Sequence, residues 1–240
     1  LAWRPLLTRS GNLVPFWKLL RIKMTGEAAN TVTPINWAGG DPLRVWLLRN
    51  DVPATVGGAS AVVDRTLQIF AMLLLIVVGT VAALIQLSLP SKIVWGLTGT
   101  VALMLTFMLL FLSLQRRGLF EKLSQVLMKF KIRKLSDGTL EKLKEVDQQV
   151  EEFYRRNPTL FWQGIGYHFI ARLFGVLEIY VIGFLLQVPI TGSDALFLAT
   201  IIPIANLFSI IVPGAWGVQE GVVSGLFYLM HWNPADGIAL

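Results

Sequence analysis

Three arginines and five acids stand out in a chain that is otherwise largely apolar, and their chemistry is that of holding charged groups. Arg44, Arg65 and Arg172 carry the planar donor fork that grips a phosphate, while Glu27, Asp41, Asp64, Glu178 and Glu220 either neutralise those arginines or receive an amine. Asn30 and Gln219 lie beside these acids in sequence and complete the candidate polar-headgroup set. His168 precedes Arg172 by four residues and shares its helical face, whereas Glu178 follows by six and does not, so each needs a partner from another helix. His168 reads more readily as a packing histidine than as a proton relay. Asp64 and Arg65 read either as a headgroup site or as an anchor at the water boundary of a span. Glu220 closes the charge-free run Ala195–Gln219. A carboxylate at membrane depth costs roughly 2.5–3.5 kcal/mol on insertion scales unless it is paired or wetted, which marks it as a functional candidate.

Covalent chemistry finds no such set. There is no cysteine, the two histidines His168 and His231 are far apart, and no DxxxD, HxxxH or HExxH cluster occurs. We therefore expect no enzyme, no metal and no cofactor.

Two interruptions in apolar segments are expected to position these side chains. In IVPGAWGVQEG, Pro213, Gly214 and Gly217 stop a helix just before Glu220 and Gly221. Gly217 is expected to permit close backbone approach. In PINWAGGD, Pro34 is followed by Gly39 and Gly40, with Asp41 placed to cap a short helix whose first turn holds Pro42. Tryptophan follows the proline by three residues and an acid follows by seven in both stretches. Paired breaks of this kind are compatible with an inverted repeat around a midplane cavity that both breaks face.

The frame around them is a membrane protein. Residues are 54% hydrophobic and 15% charged, against roughly 25% charged in soluble domains, and mean hydropathy is +0.62. Thr66–Ser91 and Ile93–Gln115 are charge-free and long enough to span. Asn157–Pro158 opens a further span that runs to Val188–Pro189, and Thr191–Asp194 makes a turn. Between Arg116 and Arg156 lie eleven Lys/Arg against seven Asp/Glu, which places this amphipathic connector, residues 116–157, in the cytoplasm, with a break near Ser136–Gly138. Interleaved acids and flanking spans argue against nucleic acid as its partner. The same parity makes Met24–Asp41 a re-entrant hairpin turning near Pro34. The first residue is Leu1 and the chain stops in ADGIAL, so it reads as a fragment: one transmembrane domain over residues 1–240 that lacks terminal helices. The fold class expected is all-α and polytopic, with re-entrant or broken helices.

EAANTVTP (Glu27–Pro34) with GGDPLR (Gly39–Arg44), ASAVVDRTLQ (Ala59–Gln68) and VPGAWGVQEG (Val212–Gly221) resemble, in order and spacing, the lysylphosphatidylglycerol synthase transmembrane family, also called flippase-like membrane proteins, and within it the hopanoid-biosynthesis-associated group. The resemblance implies a multi-pass protein of the bacterial inner membrane that moves or delivers a polar-headed lipid. Its partners would be lipids with polar or anionic headgroups and a lipid-modifying enzyme. Two other readings stand beside it: a proton- or ion-coupled solute transporter, since membrane carboxylates also mark ion paths, and a non-catalytic membrane partner of a lipid-modifying enzyme.

Overall fold

The charge-free run from Thr66 is only part of its helix. In the computed structural model, which describes residues 3–8, 14–32, 39–86, 91–115, 119, 137–208 and 217–239, this helix starts at Ala54. Its 33 residues extend for about 50 Å, against a hydrocarbon core of about 30 Å. Thr66–Gln86 alone covers roughly 30 Å, so Ala54–Arg65 continues beyond the apolar layer. Asp64 and Arg65 thus sit where the apolar run begins, but well inside the helix. The helix carries on past them because their charges are matched by neighbours described below.

The described helices are α1 (Trp3–Thr8), α2 (Phe16–Val32), α3 (Gly40–Leu48), α4 (Ala54–Gln86), α5 (Ser91–Gln115), α6 (Asp137–Arg156), α7 (Pro158–Leu185), α8 (Gly192–Phe208), α9 (Val218–Leu229) and α10 (Pro234–Ala239), and no strand occurs among the described residues. The protein is an all-α polytopic membrane protein. α4, α5 and α7 are each long and apolar enough to cross a bilayer. Only 6% of the most apolar stretch of α7 is buried, which leaves Phe174, Leu177, Val181 and Leu185 exposed, as a lipid-facing surface requires.

The chain divides into two compact units. The first comprises Leu1–Thr31, Trp37–Phe70 and Leu105–Tyr167. Its core joins Trp3 and Leu7 of α1 to Leu19 and Ile22 of α2 and to Leu48 and Val52. α6 is strongly amphipathic. Its apolar face, with Val150 buried, lies along the start of α4, where Gly58 leaves room for Val146. A polar node ties three helices: Gln115 at the end of α5 exchanges hydrogen bonds with Thr66 of α4, and the Tyr154 hydroxyl of α6 donates to Gln115 Oε1 over 2.8 Å. Gln115 and Thr66 are both buried, so this node fixes the end of the connector against two spans.

The second unit comprises Val32–Asn36, Ala71–Met104 and His168–Leu240. Here Ile76 and Ala83 of α4 pack with Leu97, Phe197 and Ile204, while Val188, Ile190, Leu198, Val223 and Phe227 form another core. Thr191 and Asp194 exchange hydrogen bonds with each other's backbone N–H across the first turn of α8, a capping box in place of the simple turn expected there. Among the described residues of the second apolar segment, α8 contains Pro203 and ends at Phe208, and α9 begins after Gly217. Gly217 has φ of +79°. Among the described residues a Cβ there would meet nothing within 4 Å, and the backbone angle itself requires glycine. His231 also takes a left-handed angle, φ 60°, as the residue that turns the chain out of α9. Pro34, Pro213 and Gly214 lie outside the described residues, as do Trp37 and Trp216 of the echoed pattern and the turn expected at Ser136.

Two sequence boundaries are revised near the N-terminus. Met24 starts no new element, because α2 runs unbroken from Phe16 and carries Lys18, Arg21 and Lys23 in the same helix as Glu27 and Asn30. Asp41 does not cap α3. Gly39 occupies the cap position without a side-chain bond, and the carboxylate of Asp41, within the first turn, turns to two arginines.

Candidate functional site

α2, α3 and α4 bring seven of the sequence candidates into one cluster of the first unit. Its centre is Arg44, only 1% exposed although it is the longest cationic side chain available. Burying a guanidinium demands matched acceptors. Glu27 Oε1 lies 3.0 Å from Nη2, Asp41 Oδ1 2.8 Å from the same nitrogen, and Asp64 Oδ2 3.3 Å from Nη1. Asp64, also 1% exposed, receives a second cation, the Lys23 ammonium at 3.1 Å. Arg65 then closes a fork on Asp41 through Nε and Nη2, at 2.9 and 3.1 Å, while Nη1 donates to Gln68. Three cations and three carboxylates leave the cluster neutral.

Space for it depends on two glycines. A Cβ on Gly26 would stand 2.6 Å from Cγ of Arg44, so only glycine lets the arginine cross α2. The same crossing leaves Arg44 Nε without an acceptor, a cost the surrounding ion pairs must offset. Gly40 approaches α2 so closely that an added Cβ would overlap both the Gly26 carbonyl and the Asn30 side chain. Asn30 uses that proximity: its Oδ1 accepts from the Gly40 N–H at 2.8 Å, satisfying an otherwise orphaned donor at the start of α3, and its amide faces Glu27. Trp3 covers the other side, its ring 5.8 Å from the Arg44 guanidinium and its indole N–H donated to Ser60.

Exposure is graded across the cluster. Arg44 and Asp64 are sealed, Lys23, Asp41 and Arg65 are partly exposed, and Glu27 has a side chain 43% exposed. The rim therefore alternates charge around a closed centre. Among the described residues no three His, Asp or Glu are grouped to hold a metal ion, since the acids here converge on cations.

Residues 1–240 match the family described as the lysylphosphatidylglycerol synthase TM region. The chain belongs to that family. A UPF0104 membrane protein of Methanothermobacter thermautotrophicus is 24% identical over 275 aligned positions, covering all of this chain and 74% of the relative. No solved structure matches the chain. Three of the four stretches that resemble the lysylphosphatidylglycerol synthase TM region supply the cluster: Glu27 and Asn30 from the first, Gly40, Asp41 and Arg44 from the second, and Asp64, Arg65 and Gln68 from the third.

Gly39, at the cap of α3, belongs to the first unit, and His168, Arg172, Glu178, Gln219, Glu220 and Gly221 belong to the second. His168 is buried and Arg172 half-buried on α7, and Glu178 is exposed on the same helix. Glu220 is exposed in the first turn of α9, a position where the helix dipole favours a carboxylate, and Gly221 follows it. Sequence reasoning missed Lys23, Gln68, Gly26 and Trp3 as parts of the site. Lys23 was legible, standing four residues before Glu27 on one helix. Trp3 was not, because its partner Ser60 is 57 residues away.

Proposed function

We propose that this protein moves or hands over a polar-headed lipid in a bacterial cytoplasmic membrane, and that the rim of the α2–α3–α4 cluster receives the headgroup by exchanging ion pairs. The observation that carries the reading is the graded neutrality of the cluster. A phosphate takes the Arg65 fork from Asp41, an ammonium takes Glu27 or Asp41, and the sealed Arg44–Asp64 pair keeps the frame in place while the rim partners swap. Neither bond making nor bond breaking is required, only a site at the edge of the hydrocarbon where heads are wet and tails are not. Family membership and the start of the apolar run at Thr66 support this depth. A lipid-modifying enzyme is the partner class that fits such a hand-over.

The test is headgroup accessibility in proteoliposomes made with the full-length protein, with labelled phospholipids and an impermeant quencher. Asp41→Asn and Arg65→Gln are expected to slow the exchange roughly tenfold each, as loss of a charge-assisted pair implies, while Lys18→Gln, which removes an exposed pair with Asp51, leaves it unchanged. Glu220→Gln is expected to impair exchange with insertion intact. Full exchange in both rim variants sinks the site assignment, and proton uptake abolished by Glu220→Gln without lipid movement would favour the ion-coupled reading.

A further inference from the structure

Ser60, the acceptor of the Trp3 indole, also lines a half-open groove of about 480 Å³, within the roughly 300–1,000 Å³ of ligand pockets. α1, the first turns of α4 and the last turns of α6 enclose it, all within the first unit. Val56, Ala59 and Val63 of α4 with Phe153 of α6 form an apolar floor, which runs about 10 Å along α4. Arg156 is the lining's cation, the last residue of α6 before the Asn157–Pro158 start of the α7 span. It pairs with Glu152 at 2.9 Å, but both side chains are at least half exposed, and an i,i+4 pair so placed is held weakly.

We infer that this groove binds a medium-chain fatty acid, its chain on the Val56–Val63 floor and its carboxylate on Arg156. The chemistry of the lining selects that occupant. An apolar floor ending in a guanidinium at the water boundary of a span accepts a chain with an anionic head. A fatty-acid carboxylate carries the one charge that Glu152 presents, and so replaces it on Arg156 like for like. A dianionic phosphate head would bring a second negative charge beside Glu152 and be repelled more strongly than a carboxylate. A cationic head has no place on Arg156. The floor is short and the volume suits one chain, which excludes a diacyl lipid. The site is separate from the headgroup rim and does not rest on the translocation reading. Ser60 of the groove lining connects to the residue that covers Arg44: its hydroxyl accepts from Trp3 over 3.1 Å and donates to the Gly57 carbonyl over 2.8 Å.

The experiment uses the full-length protein in nanodiscs with a decanoate analogue carrying a photoactivatable diazirine near the chain end, and maps the labelled peptides by mass spectrometry. Labelling is expected on the peptides holding Val56–Val63 and Phe153, displaced by decanoate and not by decylamine. Arg156→Gln, an exposed change that leaves the fold alone, is expected to lower it roughly tenfold, and Ala59→Trp to remove it by filling the floor. The inference is overturned by undiminished labelling in Arg156→Gln, by equal competition from decylamine, or by label confined to the exposed faces of α5 and α7. Stronger displacement by decyl phosphate than by decanoate would overturn the carboxylate assignment.

Discussion

Replacing Arg44 with methionine keeps a long side chain over Gly26 and removes one charge from the centre of the cluster. The cost can be worked partner by partner. Glu27 is half in water and rehydrates at little expense, and Asp41 keeps the Arg65 fork, so the penalty concentrates on Asp64, 1% exposed, which loses the arginine and keeps Lys23 among its partners. Breaking a buried pair costs about 3–5 kcal/mol, and since Lys23 remains we place Arg44→Met near the lower end, at about 3 kcal/mol. The exposed Lys18–Asp51 pair sets the contrast, because Lys18→Met should cost under about 1 kcal/mol. Unfolding of the purified protein in mixed micelles by graded addition of a denaturing detergent reads both values. The sharper measurement is the cycle with Asp64→Asn: with the acid already neutral, losing Arg44 strands no charge, and a coupling of about 2 kcal/mol is expected. If Arg44→Met lies within about 0.5 kcal/mol of wild type, or if the two changes simply add, the sealed pair is not what holds α3 to α4.

Three further outcomes follow from the geometry. Gly217→Val should destabilise the protein by about 1–2 kcal/mol and Gly217→Asn by much less, because φ of +79° tolerates asparagine and no neighbour opposes either side chain; equal losses in a thermal melt would point to packing instead. Gly40→Ala should cost more than Gly217→Ala despite the ordinary backbone of α3, since its Cβ overlaps Asn30 and the α2 backbone; reversal of that order would refute the close approach. Gln115→Leu should cost about 1–3 kcal/mol by removing the buried bonds Gln115 makes with the Thr66 and Tyr154 hydroxyls, and should speed hydrogen exchange in α6; unchanged exchange there would show that the node does not hold the connector.

How far the sequence reached differs from residue to residue. α5 was legible almost to its ends, because Ile93–Gln115 is a plain apolar run between charges and nothing tertiary competes with it. α4 was legible only from Thr66 onwards. Its earlier turns are rich in Gly, Ala and Val and end in the charged Asp64 and Arg65, and they pack against α1, α3 and α6. The site was legible as a set of residue types and motif order, but not as pairs. Asp41 has the ordinary signature of a cap, and only the fold shows that Arg44 and Arg65 compete successfully for its carboxylate. Nor does any local pattern announce that Gly26 must be bare for Arg44 to pass, since the two lie 18 positions apart on different helices.

The continuity of α4 through Asp64 and Arg65 ties the depth of the charge cluster to the thickness of the bilayer. A rigid rod whose apolar stretch matches about 30 Å cannot keep both ends at rest when the membrane swells or thins. In a thicker bilayer the rod stands more upright or draws its charged section towards the hydrocarbon, and in a thinner one it tilts and lifts that section into water. Lipid composition thereby becomes a dial on how wet the rim is and, on the proposed reading, on how readily its partners trade places.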